Sequence, residues 1–289
     1  MKVVFQQADL DTCLAGTIFD VTTADDIIYR LNGALPEELA DAQVLCLEAG
    51  GSGLVDKNNF DHHDTCLPLP PASAQAFLAR GRPVPYRALL EFTEIVDQQR
   101  SCLLPAFPNV SHLISGIRMV HLSTPVLQFI TGVAVLRQIA DTGLDPFSSL
   151  PPRTEWMPYL AEKSKRQGEL RDVARKADLV HADRLVVGFA ETEAIGAPGA
   201  LYRIGANVAV VHSRTLGTGN RSKFIISGDG IRVAGLLPYL NTIDPGWGGP
   251  AHGTIIGSPR YGSRLTFDRL RRLILTYSKV LGTNERHPQ

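Results

Sequence analysis

The sequence predicts an α/β protein that has a parallel sheet in its N-terminal part and a smaller α+β domain in its C-terminal part. In the first half, short apolar segments alternate with segments of helical periodicity, which is typical of a parallel sheet covered by helices. A segment rich in proline, serine and glycine, residues 143–156, separates this half from a second half with several β-rich runs. The chain has 289 residues, of which 44% are hydrophobic and 20% charged, so it can form two globular domains.

The N-terminal half contains two strand candidates and three helix candidates. The apolar run KVVF at residues 2–5 ends in polar residues, and AQVLCLEAGG at residues 42–51 ends in a Gly-Gly turn. Both are therefore predicted to be buried strands. Apolar residues recur at helical spacing in three further segments, at 11–20, 86–99 and 126–141.

The C-terminal half follows a charged segment, residues 157–180, for which the sequence predicts a helical connector. Three β-rich runs and one helix candidate come after it, at 184–192, 207–215, 222–230 and 230–241. Turn residues interrupt these runs, as expected for a small α+β domain. We therefore predict three parts along the chain: an N-terminal domain at 1–150, a helical linker at 151–180 and a C-terminal domain at 181–289.

Charge, hydropathy and cysteine content argue against a protein that binds nucleic-acid backbones non-specifically, spans a membrane or depends on disulfides. Lys and Arg together number 29, as do Asp and Glu, so the zero net charge argues against strong non-specific binding to nucleic-acid backbones. No apolar run is long enough to span a bilayer, and we expect a cytoplasmic protein without a signal peptide. The four cysteines form no Cys-x-x-Cys pair, which favours reduced thiols: Cys13, Cys46, Cys66 and Cys102.

Potential metal ligands follow the predicted strands of the N-terminal domain. Asp9 and Asp11 come after the first strand, Glu48 ends the second, and the DHH tripeptide at 61–63 comes after KNNF, with Asp97 further along. Each residue alone has an ordinary explanation, such as a helix N-cap or a solvated side chain. Together they indicate a divalent-cation site, because the carboxyl ends of parallel strands meet at one edge of a sheet.

These motifs resemble those of a known superfamily. ADLD, a strand-end carboxylate, DHH and a later Asp resemble the four motifs of the DHH phosphoesterase superfamily, which includes RecJ-type exonucleases, oligoribonuclease/pAp phosphatases, family II pyrophosphatases and exopolyphosphatases. GWGGPAHGTIIGSPR at 246–260 resembles the Gly-Gly-Gly-His signature of its associated substrate-binding domain, usually called DHHA1. The two signatures stand in the expected order on either side of a linker, so the resemblance covers nearly the whole chain.

The resemblance implies a two-metal site for Mn²⁺ or Mg²⁺ in which a carboxylate such as Glu48 bridges the ions. The implied ligands are Asp9, Asp11, Glu48, His62 and Asp97. For the last position two choices stay open. Asp97 lies in a helix that resembles the helix carrying this residue in members with short spacing, and Asp141 lies in ADTG at 140–143.

The catalytic residues implied by the resemblance are Asp61, His62 and His63. His62 corresponds to the metal-binding histidine. His63 would contact the phosphate or orient a ligand, and Asp61 would hold the loop and set the tautomer of a histidine.

The sequence departs from the superfamily pattern at two places. Many members have a histidine where this chain has Phe5, and the neighbouring Gln6 and Gln7 are poor ligands for a hard cation. The second motif normally has Asp, whereas Glu48 is one methylene longer. These departures imply that one of the two ions is weakly bound or that the protein is a degenerate, inactive member.

The glycine-rich segment supplies the predicted substrate-binding residues. Gly248 and Gly249 lack a Cβ atom and permit close approach of an anion, while His252 would donate a hydrogen bond to a phosphate. Arg260 and Arg214 are candidates for charged contacts with the same phosphate. All five are expected to face the DHH loop across a cleft.

Two functions follow as expectations. The first is a divalent-metal-dependent phosphoesterase that hydrolyses a phosphodiester or phosphoanhydride in a small nucleotide, a short single-stranded oligonucleotide or a similar substrate. The second is a catalytically degenerate nucleotide- or phosphate-binding protein that acts as a sensor or interaction module. The sequence does not choose between a monomer and a homodimer.

Overall fold

The computed structural model describes residues 1–97, 104–214, 221–250 and 252–281. The chain divides into two compact units, residues 1–164 and residues 165–289. Within the described ranges, no helix is both long enough and apolar enough to cross a membrane. Cys102 and the residues that follow Asp97 in its motif, 98–100, lie outside the described residues.

The first unit is built on a four-stranded sheet in which every pair of neighbours is parallel. The strands are β1 Lys2–Phe5, β2 Asp26–Tyr29, β3 Val44–Leu47 and β4 Asn59–Phe60, in the order β2-β1-β3-β4. All four residues of β3 are buried, and so are three of the four in β1, because these strands are central in the sheet. The predicted parallel α/β sheet is confirmed.

The described part of this unit contains six complete α-helices: α1 Leu10–Ile18, α2 Pro36–Ala40, α3 Ala72–Ala79, α4 Arg87–Asp97, α5 Val110–Val120 and α6 Pro125–Asp141. Every residue of α1 is buried, and the helix packs against α3 and α6. The contact with α6 requires a glycine, because a Cβ atom on Gly16 would come within 2.6 Å of the Phe129 ring. This close packing holds α1, and hence the loop before it, against the sheet.

The second unit has a mixed sheet of five strands in the order β5-β6-β7-β8-β9. Only β6 and β7 are parallel, and α8 connects them; the other neighbours are antiparallel. The elements are α7 Met157–Lys176, which contains the division between the units, β5 Asp178–Ala182, β6 Leu185–Glu191, α8 Ala197–Arg203, β7 Val208–Ser213, β8 Lys223–Gly228, α9 Leu237–Ile243, β9 Ile255–Gly257, α10 Phe267–Thr276 and α11 Ser278–Leu281. The predicted α+β character of this part is confirmed.

Two element predictions differ from the structure. The helix predicted over 157–180 ends at Lys176, because residues 178–182 pair with β6 as an antiparallel hairpin whose turn places Asp183 at a φ of 57°. The helix predicted over 230–241 is a 3₁₀ turn at Ala234–Leu236 followed by α9. The domain boundaries placed at residues 150 and 180 stay a prediction.

Candidate metal centre

The order of the strands creates a crevice at the carboxyl edge of the first sheet. From β1 the chain moves to β2 on one side and later to β3 on the other side, so the order in which strands are added changes side between the parallel strands β1 and β3. Open α/β sheets bind ligands at such a point. A cavity of about 190 Å³ lies here, and its lining residues are Gln6, Gln7, Asp9, Glu48 and His63.

Glu48 occupies a strained and buried position directly after β3. Its φ is 46°, in the left-handed region that residues other than glycine rarely adopt, and the residue is 6% exposed. The Oε2 atom accepts a hydrogen bond from the Thr12 hydroxyl. Burial raises the pKa of this carboxyl, and the nearby charge of Asp9 raises it further. A cation beside Glu48 would offset both effects.

His62 and His63 both approach the Oε1 atom of Glu48. The distances from Oε1 are 3.5 Å to His62 Nε2 and 3.5 Å to His63 Nδ1. The carboxylate of Glu48 raises the pKa of His62. Although Nε2 of His62 is buried, it has no hydrogen-bond partner in the part of the chain that the structure describes. A buried nitrogen without a partner is costly, and a cation would satisfy it.

These three side chains fit a divalent cation. One potential ligand atom from each of Glu48, His62 and His63 lies within 4.8 Å of the other two. One carboxylate and two imidazoles are donors that Mn²⁺, Zn²⁺ and similar ions accept in proteins. The structure thus brings together two predicted metal ligands, Glu48 directly after β3 and His62 of the DHH loop, with the predicted catalytic residue His63.

Asp61 is turned toward the backbone of its own loop. Its Oδ1 atom accepts hydrogen bonds from the backbone N–H groups of His62 (2.6 Å) and His63 (2.8 Å) and lies 3.0 Å from His63 Nδ1. Its Oδ2 atom accepts from the backbone N–H of Gly50 at 2.6 Å. Asp61 therefore ties the loop that carries both histidines to the segment that follows Glu48.

Asp11 accepts hydrogen bonds from the first residues of helix α3. Its two carboxylate oxygens accept hydrogen bonds from the backbone N–H groups of Ala72 (2.7 Å) and Ser73 (2.9 Å) and from the Ser73 hydroxyl. Asp11 is 5% exposed, and burial raises its pKa. Asp9, in contrast, caps α1 by accepting the Thr12 N–H at 3.1 Å and also lines the cavity.

The two candidates for the fourth motif lie in different places. Asp97 is the last residue of α4, and its Oδ1 atom is 4.0 Å from His62 Nε2. Asp141 is the exposed last residue of α6, where its charge contributes to raising the pKa of the half-buried Tyr86 hydroxyl, after burial and Asp20. The structure places Asp97 beside the DHH loop; its role as a ligand stays a prediction.

The position of the missing histidine belongs to the hydrophobic core. Phe5 is fully buried, and its ring stacks on Phe129 with 4.6 Å between centroids. Next to it, the Gln6 amide donates to the backbone carbonyl of Leu31 at 3.1 Å, while Gln7 is exposed. The first motif therefore brings no imidazole to the crevice.

In the second unit, the glycine segment is held by pairing with β9. Gly248 and Gly257 exchange backbone hydrogen bonds of 3.2 and 2.7 Å, and a Cβ atom on Gly249 would come within 2.1 Å of the Ile255 carbonyl oxygen. Trp247 is buried in the core. Close backbone packing thus accounts for Gly249, whereas a Cβ atom on Gly248 would meet open space.

His252 has a defined tautomer. Its Nδ1 atom accepts hydrogen bonds from the Thr254 N–H at 3.2 Å and from the Thr254 hydroxyl at 2.7 Å, so the ring proton of neutral His252 is on Nε2. The side chain is exposed, as is Arg260. Arg214 forms an ion pair with Glu191 at 2.6 Å. Their predicted approach to the DHH loop stays a prediction.

Comparison with solved structures finds matches in fold. The pGpG-specific phosphodiesterase PggH from Vibrio cholerae matches with a TM-score of 0.63, covering 98% of this chain and 100% of that one at 13% identity. The chain shares the fold of that phosphodiesterase. An uncharacterized protein from Helicobacter pylori G27 matches with the same coverage at 12% identity, but its TM-score of 0.26 carries no argument. No family model matches the sequence, and no curated protein matches it.

Thr12 and Ser73 are two site residues that the sequence-based reasoning missed. Thr12 is buried and donates to Glu48, while Ser73 is buried and donates to Asp11. A local signal existed for Thr12, since it directly follows Asp11, a predicted ligand, in the first turn of α1. Ser73 offered no such signal, because its contact with Asp11 spans 62 positions of the chain.

Proposed function

We propose that this protein is a divalent-metal-dependent phosphoesterase that hydrolyses a phosphodiester or phosphoanhydride in a small nucleotide or short single-stranded oligonucleotide. The observation that carries this proposal is the convergence of Glu48, His62 and His63 at the carboxyl edge of the sheet. A fold shared with a phosphodiesterase that acts on a small nucleotide supports it. The zero net charge favours a small substrate over a long duplex.

The residues of the crevice have distinct roles in this proposal. Glu48, His62 and His63 would hold the ion, for which Mn²⁺ and Mg²⁺ are the expected choices. When bound, such an ion lowers the pKa of a water ligand and neutralises charge on phosphoryl oxygens. Asp61 holds the loop that carries both histidines through its contacts with their backbone N–H groups.

The size of the cavity limits what enters it. Its volume of about 190 Å³ is smaller than the roughly 300–1,000 Å³ of sites that enclose a drug-sized ligand. A phosphoryl group and its attacking water fit this volume, while the nucleoside stays outside. Donors outside this cavity are therefore required for the rest of the substrate.

Hydrolysis assays test the proposal directly. Metal-stripped protein is supplied with Mn²⁺ or Mg²⁺ and incubated with pGpG, with a short oligonucleotide, with bis(p-nitrophenyl) phosphate and with pyrophosphate. We expect metal-dependent turnover of at least one phosphodiester, and loss of that turnover in His62→Ala. His181→Ala, at an exposed position in β5, is the matched control and should retain activity. Turnover that is unchanged in folded His62→Ala would refute the assignment.

The second candidate function is a catalytically degenerate protein that binds a nucleotide or phosphate. The buried Phe5 ring at the position of a family histidine favours it. In that case the hydrolysis assays show no turnover with any metal ion. Calorimetry with a non-hydrolysable dinucleotide should still show binding.

A further inference from the structure

A cavity of about 600 Å³ opens at the carboxyl end of β6 in the second unit. Helix α7 and the start of α10 line it, together with the end of β6 and the loop that follows. Its volume lies within the roughly 300–1,000 Å³ of cavities that hold small molecules. Glu191 ends β6 here and pairs in register with a residue of β7, the neighbouring parallel strand. The carboxyl ends of parallel strands are where α/β sheets commonly bind ligands.

This cavity is distinct from the glycine segment, which lies at the other end of the second sheet. At that end Gly228 pairs with the first residue of β7, and its N–H donates to the carbonyl of Thr254 at 2.8 Å. Thr254 also bonds to His252. The cavity adjoins Glu191, whose register partner His212 is the residue before the last in β7. It is therefore not the site that the glycine segment was predicted to supply.

One wall of the cavity already holds a cation. The guanidinium of Arg271 lies 5.0 Å from the centroid of the buried Phe189 ring and forms an ion pair with Asp178. A cation over an aromatic face and beside a carboxylate is stabilised by both. The half-buried ring of Phe267 lines the same cavity, as do the small side chains of residues 190 and 194. These surfaces suit an apolar stem that carries positive groups.

Carboxylates are concentrated at this cavity, although the unit that contains it is basic. Residues 165–289 have 18 Lys and Arg but 10 Asp and Glu. Half of those acidic residues line the cavity: Glu169, Asp172, Asp178, Glu191 and Glu193. Three cationic side chains also line it: Arg166, Lys176 and Arg271. Two of these are paired within the lining, Arg166 with Glu169 at 3.3 Å and Arg271 with Asp178. The cavity therefore attracts cations in a unit that otherwise repels them.

Two of the lining carboxylates keep room for a donor from a ligand. Asp172 and Glu191 are each paired with an arginine outside the lining, and the side chains of these arginines are 74% and 72% exposed. Exposed ion pairs of this kind contribute little, so a ligand can replace them. Glu191 has one further contact, at 2.7 Å from His212 Nδ1. Because a carboxylate can accept about four hydrogen bonds, both side chains can accept more.

The carboxylates of the cavity are too far apart to share one metal ion. Among the described residues, the group of ligand atoms close enough for one ion is that of Glu48, His62 and His63, and none forms at this cavity. Asp178 pairs in register with Phe189, and Glu191 lies two residues further along β6, roughly 7 Å away along the strand. A ligand that meets several of these carboxylates therefore needs separate positive groups on an extended stem.

We propose that this cavity binds a small organic polycation, an aliphatic chain that carries two or more ammonium groups. The carboxylates of Glu169, Asp172 and Glu191 would pair with the ammonium groups. The methylene stem would pack on the ring of Phe267. The inference goes beyond the hydrolysis proposed for the first unit and does not depend on it, because the whole lining belongs to residues 165–289.

Calorimetric titration of the full-length chain with spermidine, at physiological ionic strength, tests the proposal. We expect one saturable site per chain. Glu169→Gln combined with Asp172→Asn should weaken binding at least about fivefold, because two partners of the ammonium groups lose their charge. The matched pair, Asp183→Asn with Asp229→Asn, removes the same charge from exposed positions outside the cavity and should leave the affinity unchanged. Absence of a saturable site, or equal losses in both pairs, would overturn the inference.

The response to a change at Lys176 distinguishes a cationic from an anionic ligand. Lys176→Gln removes a positive charge from an exposed position of the lining and should tighten spermidine binding about twofold or more. Lys279→Gln, at an exposed position outside the cavity, is the matched control and should have no effect. Adenosine monophosphate serves as the anionic probe. Unchanged or weaker spermidine binding in Lys176→Gln, or binding of adenosine monophosphate that this variant abolishes, would contradict the proposal.

A second probe identifies the source of the ammonium groups, since lysine side chains of a partner protein offer the same chemistry. We expect spermidine to bind more tightly than acetylated tri-lysine, because the cavity has the size of a small-molecule site and the peptide backbone would stay outside it. Tighter binding of the peptide would refute a free polyamine and assign the cavity to a partner protein.

Discussion

Replacement of Asp61 by asparagine tests how the DHH loop is held. The carboxylate accepts hydrogen bonds from three backbone N–H groups, of His62, His63 and Gly50, at 2.6 to 2.8 Å. The amide of Asp61→Asn has one acceptor oxygen. If that oxygen stays with the two histidine N–H groups, the NH₂ group faces the N–H of Gly50, and two donors oppose each other.

The loss in free energy of unfolding expected for Asp61→Asn follows from these contacts. A buried donor without a partner costs roughly 1–3 kcal/mol, and hydrogen bonds to a charged group contribute more than those to a neutral one. Asp61 is 3% exposed, so water cannot replace the lost acceptor. We therefore expect Asp61→Asn to lower the free energy of unfolding of the first unit by about 2–4 kcal/mol.

Urea unfolding followed by tryptophan fluorescence measures this loss. The chain has two tryptophans, and Trp156 is buried in the core of the first unit, so a Trp247→Phe background makes the signal specific to that unit. Asp64→Asn is the matched control, because Asp64 accepts the Gly51 and Ser52 N–H groups from an exposed position and should cost at most about 1 kcal/mol. Equal losses in Asp61→Asn and Asp64→Asn would refute the reasoning.

Three further predictions follow. The Arg30 guanidinium lowers the pKa of Glu38 to about 2, so the ionised carboxyl stabilises the fold above pH 4.5. This contribution, about 1–2 kcal/mol after solvent screening, is lost as the pH falls from 4.5 toward 2. Acid unfolding curves of Glu38→Gln should lack this loss. Thr12→Val should weaken Mn²⁺ binding roughly tenfold in calorimetry, because the glutamate that it orients is released, and Thr12→Ser should restore it. Gly249→Ala should lower the melting temperature of the second unit, because its Cβ atom meets a backbone carbonyl at 2.1 Å, whereas Gly248→Ala should not.

The sequence predicts the central elements of the fold better than the peripheral ones. β1 and β3 are found because they are short apolar runs bounded by polar or glycine residues. β2 is partly exposed and β4 has only two residues, so neither shows a pattern that stands out from a loop. β5 is missed for a different reason, since pairing with β6 overrides the helical propensity of the charged segment before it.

The candidate site is predictable where it depends on topology. Glu48 and the DHH loop follow neighbouring parallel strands, so their side chains must come to the same edge of the sheet. The hydrogen bonds of Asp11 with helix α3 are not predictable in this way. Its partners, Ala72 and Ser73, lie about sixty positions further along the chain, and only the packed position of α3 reveals that this carboxylate is already used.

The crevice concentrates several unfavourable features in one place. Glu48 has a left-handed backbone and a buried carboxylate, and His62 has a buried nitrogen that forms no hydrogen bond with any described residue. Each feature costs free energy in the absence of a ligand, and folded proteins retain such costs chiefly where function requires them. A cation held between Glu48 and His62 would counter the repulsion from Asp9 and satisfy the nitrogen at once. Because the unfolded chain does not hold these groups together, the same contacts would couple metal binding to the stability of the first unit.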